Sequence, residues 1–123
     1  QGYSSAASDV YKRQVDENVE FVVVEEMPVF RNGNADLMRY LSENIKYPTV
    51  SAEQGVQGRV VVQFVVGVHG EILNPVVVKS VDPYLDKEAI RVISSMPKWK
   101  PGKQRGKAVR VKYTVPVVFR LQS

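Results

Sequence analysis

VRVKYTVPVVFRL, residues 109–121, decides the fold. Val109, Val111, Tyr113, Val115, Val117, Phe119 and Leu121 take every odd position, while Arg110, Lys112, Thr114, Pro116 and Arg120 stand between them, with Val118 the one apolar exception. Side chains of a strand point alternately to its two faces, so this pattern predicts one long strand with a buried face and a wet face. Pro116 lies inside it and cannot donate to a ladder, which argues against a central strand and for a sheet edge.

Working back from that strand, Leu85, Ala89, Val92, Ile93 and Met96 recur at helical spacing after Asp82-Pro83, and Pro97 closes the run. This predicts an amphipathic helix with Pro tolerated in its first turn. Trp99, Pro101 and Gly102 make a loop that continues, basic, to Lys107, and Trp99 is expected in the core. Gly58 to Val68 (GRVVVQFVVGV) carries apolar residues on both faces and reads as a central strand. His69-Gly70 supplies a turn, and Glu71 to Ser80 is the return strand, marked as an edge or a bulge by Pro75. Leu37, Met38, Leu41 and Ile45 give a first helix over 34–45, with Asn32 or Asn34 as cap and Tyr47-Pro48 as stop. Val19 to Val24 is a short β-prone run ended by Pro28. The expected fold class is α+β, a three-stranded antiparallel sheet with two helices on one face. Residues 1–18 are polar and aperiodic and read as a disordered tail, and Ser4 to Gln14 does not resemble a linker, so the domain is expected over 19–123.

The chain has 123 residues, 44% hydrophobic and 24% charged, enough for one domain with a modest core. Its charge of +4 and pI near 9.4 leave nucleic acid, anionic lipid and acidic peptides open as partners. The absence of cysteine excludes a disulfide scaffold and thiolate metal sites. No apolar run is long enough to span a membrane and no signal peptide is visible, so any anchor or export segment would lie outside this stretch.

Catalytic chemistry finds no constellation. The single histidine, His69, falls in a turn and reads as an exposed turn residue. One histidine without cysteine makes no typical zinc site. Asp86 and Glu88 are two apart on a helix and diverge, and the adjacent Glu25 and Glu26 meet the same objection. Gly55 and Gly58 lack the Gly-Lys-Ser/Thr of a phosphate loop. No enzyme activity, cofactor or metal is expected. Lys98, Lys100, Lys103, Arg105, Lys107, Arg110 and Lys112, with Trp99 and Tyr113 among them, could hold nucleic acid, but read more simply as a solvated loop. The edge strand can accept an extended peptide as an added strand, although Arg110, Lys112, Pro116 and Arg120 are also common guards against such pairing.

Several spaced pieces resemble one family. They are Glu26-Met27-Pro28-x-Phe30, Leu37-Met38-x-Tyr40-Leu41, Tyr47-Pro48, Gly58-x-Val60-x-Val62-x-Phe64-x-Val66 then Gly70, Leu85-Asp86-x-Glu88-Ala89, Pro97-x-Trp99-x-Pro101-Gly102, and Pro116-Val117-x-Phe119. In this order they resemble the C-terminal domain of TonB, in the version typical of Bacteroidetes, over about residues 20 to 122. The resemblance implies a periplasmic domain whose parent is anchored in the inner membrane and driven by an ExbB/ExbD-type motor. It implies binding of the TonB-box peptide of outer-membrane receptors that import iron chelates, vitamins or glycans. The box would add beside the last strand, here at Val109, Arg110, Val111, Lys112, Tyr113, Thr114 and Val115. The receptor would lie close to Asn44, Lys46, Tyr47 and Pro48. The membrane helix and Pro-rich linker of a transducer are not in this sequence, so the stretch alone cannot transmit force. The same domain type ends some membrane metallopeptidase sensors, which is the alternative parent; a basic nucleic-acid-binding module is an alternative of another class. A homodimer through the edge strand is a third expectation.

Overall fold

The structure, a computed structural model, describes residues 20–121. Its elements in chain order are β1 (Glu20–Phe21), α1 (Asn34–Asn44), α2 (Thr49–Glu53), β2 (Gly58–Val66), β3 (Ile72–Lys79), α3 (Pro83–Ser94), β4 (Gly102–Gln104) and β5 (Lys107–Phe119). The expected residues 1–18 tail lies outside the described residues, as does Val19.

β2 is the central strand. It pairs antiparallel with β3 on one side and with β5 on the other, from Gly58–Phe119 to Val66–Val111 without a register shift. This is the three-stranded antiparallel sheet that the alternation predicts. Two further strands extend it: β1 pairs parallel with β5 at Glu20–Arg110 and Phe21–Val111, and β4 pairs antiparallel with residues 107–109 of β5. The sheet therefore has five strands rather than three, in the order β1-β5-β2-β3 with β4 also on β5. The pairing of β3 with β2 carries two irregularities, and its Asn74 takes φ 49° directly before Pro75, the residue whose missing N–H suits an edge.

The helices cover one sheet face. Leu37 and Leu41 of α1 and Leu85, Ala89, Val92 and Ile93 of α3 pack on Val60, Val62, Phe64 and Val66 of β2 and on Val115, Val117 and Phe119 of β5 in one core. The odd positions of β5 that face this core are almost wholly buried, whereas Lys112, Thr114 and Val118 are exposed on the opposite face. α3 is started by Asp82, whose carboxylate accepts from the N–H groups of Tyr84 and Leu85 and from the Ser51 hydroxyl of α2. The short α2 was not foreseen. Nor does an asparagine side chain cap α1: Gly33 takes the cap position with no side-chain bond, and Asn34 is already the first helical residue.

Trp99 is the hub of the aromatic core, with ring centroids 5.6 Å from Phe30, 5.5 Å from Phe64 and 5.1 Å from Tyr113. Its backbone N–H donates to the Gly70 carbonyl at 2.8 Å. Gly70 has φ +82° and a Cβ there would stand 1.8 Å from the Trp99 carbonyl oxygen, so only glycine fits this crossing.

Candidate functional site

The peptide-binding edge expected from the sequence is β5, and the structure divides it into two parts. Val109 pairs with Gly102 of β4, and Arg110 and Val111 pair with β1. The expectation of an open edge beginning at Val109 is thus corrected: two short strands, which the hydrophobic alternation does not reveal, already pair with residues 107–111, and β1 takes the outer edge at Arg110 and Val111. From Lys112 to Phe119, β5 has β2 as its only strand partner among the described residues.

Which backbone groups of this part point outward follows from Pro116 and Leu121. Pro116 has no N–H, and a strand tolerates it where that direction leads away from the ladder. The N–H of Leu121, of the other parity, donates to Gln57 Oε1 at 2.7 Å on the β2 side. The unbroken register then turns the even-numbered residues away from β2; β1 takes the N–H of Lys112, and the N–H groups of Thr114 and Val118, with the carbonyls of Lys112, Thr114, Pro116 and Val118, face the free edge.

A cleft borders this edge. Ser42, Ile45 and Tyr47 form one wall and Val118, Phe119 and Arg120 the other, around about 380 Å³. A smaller hollow of about 60 Å³ continues it between Met38, Leu41 and Ile45 of the α1 region and Pro116, Val117 and Val118. A strand laid beside β5 would turn alternate side chains into this apolar cleft and the others to the open sheet face.

The second set of expected site residues sits at the C-terminal end of β5. Tyr47 packs edge-on against Phe119 with centroids 5.6 Å apart at 88°. Its hydroxyl donates to the Val56 carbonyl, and burial, with the nearby Asp82 charge, pushes the phenol above its ordinary value. Pro48 precedes the first turn of α2. Asn44 ends α1; its carbonyl accepts from Arg91 Nη2 at 2.9 Å. The N–H of Lys46 donates to Glu88 Oε2 at 2.6 Å. Glu88 is buried and takes two further bonds from Arg91, both at 2.7 Å. Glu88 and Arg91 therefore clamp the Asn44–Lys46 turn onto α3. The structure brings Asn44, Lys46, Tyr47 and Pro48 to the Phe119 end of β5, whereas Val109 lies about 30 Å along the strand from there.

Sequence reasoning places Asp86 and Glu88 as a non-pair, and the structure gives them separate duties. Asp86 holds the Ser80 hydroxyl and the Val81 N–H, and Glu88 holds the Lys46 turn. Burial alone would raise the Glu88 carboxyl, but its bonds to Arg91 and to the Lys46 N–H outweigh burial and hold it below the ordinary glutamate range. A depressed native value stabilises the fold above the unfolded value near ~4.3 and loses that contribution as pH falls through the lowered native value. Glu88→Gln should cost about 1–2 kcal/mol at neutral pH, since Arg91 is half exposed and screened. It should also flatten stability against pH below ~4, which urea melts at stepped pH would read. An identical acid limb in wild type and variant would contradict the clamp.

The basic segment is anchored by backbone contacts and by an ion pair. Lys103 and Glu26 exchange backbone hydrogen bonds at 2.8 and 3.0 Å, and the Glu25 carboxylate accepts from the Arg105 N–H at 2.7 Å. Lys112 Nζ lies 3.7 Å from Glu20. The Glu25 and Glu26 contacts are made to backbone groups, and Glu20 sets a carboxylate beside the Lys112 ammonium. Among the described residues no group of three or more His, Cys, Asp or Glu could hold a metal, and no helix is long and apolar enough to cross a membrane.

A profile of the family described as Gram-negative bacterial TonB protein C-terminal matches residues 43–121, nearly everything from the end of α1 through β5. The chain belongs to the TonB C-terminal family. The fold agrees with the TonB C-terminal domain of Pseudomonas aeruginosa, solved in solution, at 22% identity and a TM-score of 0.56, covering 85% of this chain and 95% of that one. It agrees likewise with the TonB C-terminal domain of Helicobacter pylori, residues 194–285 of that protein, at 22% identity and a TM-score of 0.54, covering 72% of this chain and 94% of that one. No curated protein matches the chain. TonB C-terminal domains form a family of interaction modules.

Proposed function

We propose that this TonB C-terminal domain is the receptor-binding end of a TonB-type energy transducer. It works in the periplasm and binds the TonB-box peptide of outer-membrane transporters by strand addition. The parent is held in the inner membrane and driven by an ExbB/ExbD-type motor, so that the bound peptide passes on energy for import. The observation that carries this reading is the open backbone edge of Lys112–Phe119 beside an apolar cleft. Each backbone bond made to an added strand contributes about 1 kcal/mol net, so a handful gives weak to moderate affinity, with the cleft supplying selectivity. In this reading Tyr47 and Pro48, near the Phe119 end of β5, meet the receptor body that follows the peptide, which the packing of Tyr47 on Phe119 supports.

The test is an NMR titration with peptides from the periplasmic N-termini of outer-membrane transporters. Amide shifts should concentrate on Lys112 to Phe119 and on the Ser42–Tyr47 wall. Shifts confined elsewhere, or none at millimolar peptide, would refute the reading. Line broadening without peptide that grows with protein concentration would report self-pairing of the same edge between two copies, the homodimer expected from a free strand.

A further inference from the structure

β1 is unusual among the strands. It is two residues long, it is the only parallel partner in the described sheet, and it lies on the same strand, β5, whose next residue opens the free edge. Its hold is small but composite. Phe21 and the buried Val24 cover Val109 and Val111 in an apolar cluster separate from the main core. Glu20 reaches Lys112 at 3.7 Å, an ion pair between partly exposed side chains. Between these anchors the chain bends, and Val22 and Val23 are 67% and 77% exposed. The next attachment comes only at Glu25 and Glu26, to Arg105, Gln104 and Lys103.

Val109 and Val111 require an apolar cover on the β5 edge, and β1 supplies it in the free domain. A peptide lying along β5 can supply the same cover and the same backbone bonds. Resting on the strand-addition reading above, we infer that Glu20–Phe21 is a displaceable plug. It occupies the Arg110–Val111 part of the binding edge in the free domain and is exchanged for the partner peptide on binding. The plug lowers apparent affinity by the fraction of time it is seated. It keeps the edge short when no partner is present, which limits unwanted pairing. Its ion pair with Lys112 couples peptide affinity to salt.

The chain has no cysteine, so a single crosslink can be introduced cleanly. Phe21→Cys with Val111→Cys, at directly paired positions, locks the plug when oxidised. The reduced form of the same variant, which carries both substitutions without the crosslink, is the reference for binding of the transporter N-terminal peptides. The oxidised form should bind at least about tenfold more weakly. Glu20→Lys, which turns the Lys112 attraction into repulsion, should raise affinity by about threefold, and it decides the matter should the crosslink not close. In the wild type, the Glu20 and Phe21 amides should shift together with Lys112–Phe119 on titration. Equal affinity of locked and reduced forms, or no gain from Glu20→Lys, overturns the plug, as does binding at Lys112–Phe119 with the Glu20 and Phe21 amides unmoved. Absence of any shift along Lys112–Phe119 in every form would instead remove the strand-addition reading itself, and the plug with it.

Discussion

Trp99→Ala should lower the free energy of unfolding by about 3–5 kcal/mol, the usual cost of removing a fully packed aromatic side chain. Trp99 is 3% exposed and joins the rings of Phe30, Phe64 and Tyr113, which come from a loop and from β2 and β5. Phe64 and Tyr113 also meet directly at 6.1 Å, whereas the Phe30 ring reaches them through Trp99. A domain near one hundred residues has only about 5–15 kcal/mol to lose, so the variant should melt at least about 12 °C lower or fail to fold at 37 °C. Trp99→Phe separates packing from polarity. The indole N–H has no hydrogen-bond acceptor among the described residues, so its removal forfeits no protein bond. The bond from the Trp99 backbone N–H to Gly70 is kept. The Phe variant should cost about 1–2 kcal/mol, for lost volume alone. A thermal melt of Trp99→Ala that matched wild type would show that the ring cluster is not a support of the fold.

Thr114→Pro should leave the domain folded and weaken peptide binding by tenfold or more. Thr114 pairs with Gln63 of β2, but its own N–H turns toward the free edge, by the parity that Pro116 and the Leu121–Gln57 bond establish. Proline there removes one outward donor and sets a ring against the incoming strand, with no loss from the β2 ladder. Stability should change by less than about 1 kcal/mol. Val115→Pro is the contrast: its N–H points into β2, and its loss, with the buried side chain, should cost about 3 kcal/mol or more. Calorimetric titration of both variants beside denaturant melts separates the two effects. Unchanged peptide affinity in Thr114→Pro would mean that the partner does not use this edge.

Much of this fold was legible because its strongest elements carry a period. The odd-position run of β5 and the stripe from Leu85 to Ile93 on α3 each announce their own type and their buried face. Asp82-Pro83 announces where α3 begins, and the Trp99 loop announces a core aromatic between breakers. What stayed hidden has no period to read. β1 is two residues with its partner at Arg110 and Val111, so nothing local distinguishes it from a linker. β4 depends on the Arg105-Gly106 turn, where both residues take positive φ (54° and 77°), and on a pairing of only three residues. Gly106 is the single trace of it in the sequence. α2 has five residues, too few for a stripe. The same limit applies to the candidate site. Pro116 and the alternation point to β5 as an edge, but where that edge opens is set by β1. The cleft wall at Ser42, Ile45 and Tyr47 is made by tertiary packing, including that of Tyr47 on Phe119.

The unbroken register of β5 on β2 has a mechanical corollary. A ligand strand lying beside β5 and tugged along its own length would load its hydrogen bonds together, as in shear. Tugged across, it would surrender them one after another, as in unzipping. Because β5 is itself bonded to β2 from Val111 to Phe119, lengthwise tension would pass into the middle of the sheet rather than peel its border. The direction of pull, as much as the number of contacts, would then govern how long such a grip lasts.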